Sequence, residues 1–212
     1  MSARNAVATV PARSDNPITL RRVVVGVIVA AIGLGCVAVP WAFYALIFAI
    51  GLASIYELNA LCEKKGQPLE YPVAVFGVGA YVIMAVFDML HKWEGVLLAG
   101  ITIAAFWIGM YGEQKGYFAR TAYTLLAALY IGKLLTYFVF VRQIPNNGLW
   151  MTFYLILLVA LTDIFGMLVG TFAGRHQLTK VSPRKTVEGS LGSLILVTVF
   201  AIVATRAPAL HL

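Results

Sequence analysis

Residues 163–190 read DIFGMLVGTFAGRHQLTKVSPRKTVEGS. The stretch leaves an apolar run through glycines at every fourth position. It then crosses a basic turn and enters a second apolar run after a Ser-Pro pair. Asp163 stands inside the first run, where a carboxylate at a helix centre costs about 2.5–3.5 kcal/mol on insertion scales. Such a residue faces a polar cavity, a cation or a partner; the plainer alternative is an Asp reaching interfacial water. Gly166, Gly170 and Gly174 fall on one helical face, with Asp163 three residues before the first. Small residues at this spacing favour close helix packing. They also leave room for a headgroup beside the carboxylate, and both readings stand at this point.

The rest of the chain sets the solvent in which this stretch works. The 212 residues are 61% hydrophobic and only 12% charged, with mean hydropathy +0.87. A soluble domain is about a quarter charged, so the surplus apolar surface needs a bilayer. The length accommodates about six to eight spans of roughly 20 residues. The formal net charge of +7 speaks for orientation and anionic lipid rather than nucleic acid. Cys36 and Cys62 are placed at opposite membrane faces, so no disulfide between them is expected.

The apolar runs predict an all-α, polytopic integral membrane protein of about seven transmembrane helices. They lie near residues 23–39, 41–61, 72–87, 95–111, 121–141, 149–173 and 190–205. They form one transmembrane domain over 23–212, after a cytoplasmic tail over 1–22. With the N-terminus inside, the inner segments hold Arg4, Arg13, Arg21, Arg22, Lys64, Lys65, Lys115, Arg120, Arg175, Lys180, Arg184 and Lys185. The outer segments hold only Lys92, Arg142 and Arg206, and Lys133 lies within a span. The positive-inside rule then places the motif loop 174–189 in the cytoplasm, most simply at the cell inner (plasma) membrane.

The loop carries the chemistry. Pro183 fixes its own backbone and restricts Ser182, which shapes the turn. Lys185 offers a point charge to phosphate, and Ser182 and Thr186 offer hydroxyls to phosphate or metal. Glu188 either orients a metal-bound water or pairs with Lys185. Together these groups suit a polyphosphate with a divalent cation. No G-x-x-x-x-G-K-[ST] occurs, so this is not a P-loop. His176 reads as an interfacial loop histidine before it reads as a ligand. Glu57, at the end of the second run, either snorkels to water or lines the same cavity. Lys133 either snorkels, reaches a lipid phosphate, or neutralises an intramembrane acid such as Asp163.

An Asp in a span, then G-x-x-x-G, a short basic loop and S-P-x-K-T-x-E-G, resembles the phosphatidate cytidylyltransferase (CDP-diacylglycerol synthase) family. Asp163, Gly170, Gly174, Ser182, Pro183, Lys185, Thr186, Glu188 and Gly189 carry the likeness, with Tyr56-Glu57-Leu58 similar to an early Tyr-Glu element. The resemblance implies transfer of CMP from CTP to phosphatidic acid, giving CDP-diacylglycerol and pyrophosphate, with Mg²⁺ as cofactor. It implies Asp163 and Lys185 as catalytic groups. It implies Ser182, Pro183, Arg184, Thr186, Glu188 and Gly189 as substrate-binding groups, and Asp163 and Ser182 as metal ligands. The family's longer signature has a Lys-Arg pair, Gly-His-Gly-Gly and several further acids. It falls beyond Ser190 and is not in this sequence. Activity only beside a complementing chain is therefore one expectation; a non-catalytic relative that binds lipid phosphate or nucleotide, or an inactive truncated product, is the other. The expected partners are CTP, phosphatidic acid and membrane lipid, without nucleic acid, and with a homodimer or complementing chain left open.

Overall fold

A computed structural model describes residues 20–111, 116–179, 182 and 184–206 of the chain. These residues are all-α. The helices are α1 (Leu20–Ala38), α2 (Pro40–Glu63), α3 (Tyr71–Val86), α4 (Leu90–Tyr111), α5 (Tyr117–Ala127), α6 (Leu134–Gln143), α7 (Gly148–Ala173) and α8 (Val187–Thr205). A π-helical segment, Ala128–Lys133, joins α5 to α6 without a break. Five rods are long and apolar enough to cross a membrane: α2, α4, the continuous Tyr117–Gln143 rod, α7 and α8. The other two apolar segments, Val24–Ala38 and Tyr71–Val86, are shorter, where the sequence predicts spans in both places. α3 has 16 residues, about 24 Å at 1.5 Å per residue, against a hydrocarbon core of about 30 Å. The chain is a polytopic membrane protein in which one side of α3 is buried against its neighbours.

The described residues divide into two compact units. One comprises residues 29–152; the other comprises residues 153–206 with the start of α1.

In the first unit the chain punctuates its helices with local chemistry. Pro40 opens α2 at a position where its missing N–H costs nothing. Gly66, at φ 71°, closes α2 in a Schellman motif. The Gln67 N–H donates to the Cys62 carbonyl at 3.0 Å, and the Gly66 N–H to the Glu63 carbonyl at 2.8 Å. Asp88, at φ 55°, closes α3 the same way, with Met89 N–H on Met84 O at 2.8 Å and Asp88 N–H on Ala85 O at 3.2 Å. That turn is tight enough for α4 to begin at Leu90, inside the polar loop that the sequence reading extends to Glu94. Side chains close other ends: Gln143 donates to the Val86 carbonyl at 2.9 Å and Arg142 Nε to the Val37 carbonyl at 3.2 Å. Each satisfies a carbonyl with no partner inside its own helix.

α3 is the axis of this unit. Its Val73, Ala74, Val78, Tyr81, Val82 and Ala85 are buried. It packs on α2, α4 and the Tyr117–Gln143 rod. Close approach is what permits this. A methyl group on Gly132 would lie 3.1 Å from Val78 Cα, so the π segment rests almost directly on the α3 backbone. Along the rod the buried residues run Thr124, Ala128, Gly132, Thr136 and Val139.

Candidate functional site

The second unit holds the motif stretch. α7 ends at Ala173, and the chain folds back on itself before α8 starts at Val187. The fold-back is a short antiparallel pairing of Gln177 with Thr186. Leu178 N–H donates to Lys185 O at 2.8 Å, and Val187 N–H donates to His176 O at 3.0 Å. Lys185 N–H closes the tip onto the Ser182 carbonyl at 3.1 Å, and Ser182 N–H donates to Thr179 Oγ1 at 3.1 Å. Pro183, Lys180 and Val181 lie outside the described residues, as do residues 1–19.

α8 begins earlier than the predicted span near 190, because Thr186 caps it. Thr186 takes an extended conformation and its Oγ1 accepts the Gly189 N–H at 3.1 Å. This is the usual service of an N-cap threonine. The side chain is buried, so the hydroxyl that the sequence offers to phosphate is engaged inside the helix start.

The glycine stripe has a definite occupant. Gly166 and Gly170 of α7, with Gly174 just past its end, face Ser193 and Gly189 of α8 and its cap residue Thr186. A Cβ on Gly170 would lie 3.0 Å from Thr186 Oγ1, and one on Gly174 2.7 Å from Thr186 Cγ2. A Cβ on Gly189 would meet Gly166 O and Thr186 Oγ1 at 2.8 Å each. Of the two readings of the stripe, the packing one describes what the structure does: the space is filled by the first turns of α8. Gly189, expected at the substrate, is buried in this seam.

Glu188 turns back from the first turn of α8 to the end of α7. Its Oε2 accepts the N–H of Arg175 at 3.1 Å and of His176 at 3.2 Å, and its Oε1 lies 2.6 Å from His176 Nδ1. The carboxylate is thus spent on the hairpin, where the sequence reading gives it to a metal-bound water or to Lys185. Arg175, Arg184 and Lys185 remain exposed. The hairpin therefore shows several cations and one imidazole to its surroundings.

Asp163 is exposed on α7, on the same stripe as Gly170 and seven residues before it, about 10 Å along the helix axis. Glu188 is bound at Arg175, just past the end of α7 at Ala173, which is ten residues or about 15 Å along the axis from Asp163. The two acids nearest the motif therefore do not share one cation. Among the described residues no three His, Cys, Asp or Glu side chains come together to hold a metal. Asp163 and Ser182 alone do not make a preformed Mg²⁺ cage, which wants six oxygens in near-octahedral order.

The first unit places the remaining candidates. Glu57 is exposed on α2. Lys133 pairs with Glu94 of α4. The sequence reading missed a second ion pair there. Arg120 Nε lies 3.3 Å from Glu70 Oε1, with side chains 10% and 14% exposed. Thr124 Oγ1 accepts the Glu70 N–H at 2.9 Å and donates to the Arg120 carbonyl at 2.8 Å. Both acid and base sit at the rims of polar loops in the sequence. The usable signal was Arg120 followed by Thr121 and Thr124 on one helical face.

Comparison with known proteins identifies the family. Residues 20–210 match the Cytidylyltransferase family. The chain is 28% identical over 195 residues to the phosphatidate cytidylyltransferase of Bacillus subtilis (strain 168), covering 87% of this chain and 72% of that protein. It is 28% identical over 163 residues to the Staphylococcus haemolyticus (strain JCSC1435) enzyme of the same name, covering 74% of this chain and 61% of that one. It is 30% identical over 154 residues to that of Staphylococcus aureus (strain COL), covering 70% and 58%. The chain therefore spans between 58% and 72% of the length of these relatives. With its motif loop pinned between two apolar helices and a match running from α1 to beyond α8, the chain belongs to the cytidylyltransferase family.

Proposed function

We propose that this chain carries cytidylyl-transfer chemistry on phosphatidic acid, taking CMP from CTP and releasing pyrophosphate, in phospholipid biosynthesis. The observation that carries the reading is the hairpin at the α7–α8 junction. It is held by Thr186 and Glu188 and offers Arg175, Arg184 and Lys185 to an anion. Transfer between phosphates depends chiefly on positioning and charge neutralisation, which fixed cations supply. In this reading Lys185 and Arg184 neutralise phosphate oxygens. Asp163 is the acid of the site, and Ser182 and Pro183 serve substrate binding. Thr186, Glu188 and Gly189 serve substrate binding by holding the loop.

Asp163 and Ser182 are the groups that would meet Mg²⁺, whose charge would neutralise the polyphosphate, although the described residues form no preformed site for it. The remaining acids would come from a second copy or a complementing chain. The motif loop faces the cytoplasm of the inner membrane, and the N-terminus lies on the same side. One observation favours a second reading, binding of lipid phosphate or nucleotide without turnover: no carboxylate cluster forms among the described residues.

The test is CDP-diacylglycerol formation by the purified chain in detergent, with labelled CTP, phosphatidic acid and Mg²⁺, and Asp163→Asn as control. Turnover abolished by the substitution supports the first reading. Binding of either substrate without turnover supports the second, and absence of binding to both removes the two together.

A further inference from the structure

His176 is held from two directions by one residue. Glu188 Oε2 accepts the His176 main-chain N–H at 3.2 Å, while Oε1 meets the ring at Nδ1, 2.6 Å away. The Val187 N–H on the His176 carbonyl, at 3.0 Å, fixes the same residue from the α8 side. An ionised carboxylate only accepts hydrogen bonds, so Nδ1 carries the hydrogen, and in the neutral ring the Nε2 lone pair points away from Glu188. The imidazole is 73% exposed against 28% for Glu188. The ring is therefore oriented at one nitrogen and open at the other. Arg175 is its chain neighbour, and Lys185 lies across the hairpin from Leu178. The exposed cations of this loop would draw an anion toward the open imidazole nitrogen.

We infer that His176, positioned by Glu188, is the proton acceptor for the phosphomonoester substrate at this loop; this rests on the cytidylyl-transfer reading above. Neutral Nε2 removes the hydrogen from a P–OH of the lipid phosphate. The freed oxygen forms a bond to the α-phosphorus of the nucleotide. The bond from that phosphorus to the bridging oxygen of the β-phosphate breaks, and pyrophosphate leaves with the electron pair. The imidazolium returns its proton to solvent. Glu188 touches no substrate and acts as a positioning residue.

The experiment uses the full chain in lipid nanodiscs. His176→Ala is expected to lower kcat about 10²–10⁴-fold, the range for a lost general base, with KM for CTP changed little. Added imidazole is expected to restore part of the rate, which a purely structural loss would not allow. Unchanged kcat, or a loss that imidazole does not recover, overturns the inference. If the parent chain does not turn over, the cytidylyl-transfer reading fails separately, and ¹⁵N spectra of His176 decide this one. The Nε2 resonance is expected to move on adding phosphatidic acid and to change tautomer in Glu188→Gln. Movement with CTP alone assigns the site to the nucleotide and overturns the lipid role, and no movement with either overturns it altogether.

Discussion

Gly189→Ala tests whether α8 is seated on the glycine stripe of α7. In an ordinary helix this change stabilises by roughly 0.5–1 kcal/mol, because glycine loses more backbone freedom on folding. Here the new methyl would lie 2.8 Å from Gly166 O, 2.8 Å from Thr186 Oγ1 and 3.0 Å from Gly170 Cα. Two of these three neighbours are backbone and cannot rotate aside, so α8 must lift from α7. Overpacking of this kind costs about 1–3 kcal/mol. Displacing Thr186 Oγ1 from its cap adds about 1 kcal/mol. The net expectation is a loss of about 1–3 kcal/mol after the propensity gain is subtracted. The control is Gly35→Ala in α1, where an added methyl meets nothing within 4 Å. It is expected to be neutral or slightly stabilising. The assay is unfolding of the full chain by SDS titration in mixed micelles, followed by helical circular dichroism. Gly189→Ala unfolding at or above the parent midpoint, with Gly35→Ala unmoved, would refute the seating of α8 on Gly166–Gly174.

Thr186→Ala removes the cap of α8 and is expected to cost about 1 kcal/mol in the same titration. Thr186→Ser keeps the oxygen and is expected to recover most of that. Arg120→Met leaves the Glu70 carboxylate without its cation at 14% side-chain exposure, and breaking such a pair costs about 3–5 kcal/mol. The double variant Glu70→Leu/Arg120→Met is expected to regain most of this loss, and a double variant no better than Arg120→Met would refute the pairing.

The fold class was legible because apolar runs of membrane length leave the backbone few alternatives to helix. The glycine spacing at 166, 170 and 174 was legible as a helix face, and its two readings could be stated but not separated. What fills that face lies 19 residues on, at Gly189, and no local pattern joins the two. The same limit applies to Glu188. Its sequence neighbours suggest Lys185 as a partner, while its actual partners are twelve and thirteen residues back, across a turn. The sequence leaves Lys133 to snorkelling, to a lipid phosphate or to an intramembrane acid such as Asp163. Glu94 was hidden because the sequence reading treats it as loop, and the Asp88 turn had already restarted the helix. Local signals give the rods, while the pairings between them depend on which turns of which rods meet.

The π-helical segment changes how this chain should be compared with others. Thr124 and Thr136 are both buried on one rod, twelve residues apart. On an uninterrupted α-helix, twelve steps of about 100° leave the second about 120° out of phase with the first. The wide turn at Ala128–Lys133 absorbs one extra residue, which brings the offset down to about 20°. Length and rotational phase are thus decoupled at this point. A relative lacking one residue here keeps the same inward face on an unbroken helix. Position-by-position correspondence beyond Lys133 then holds only after a one-residue shift.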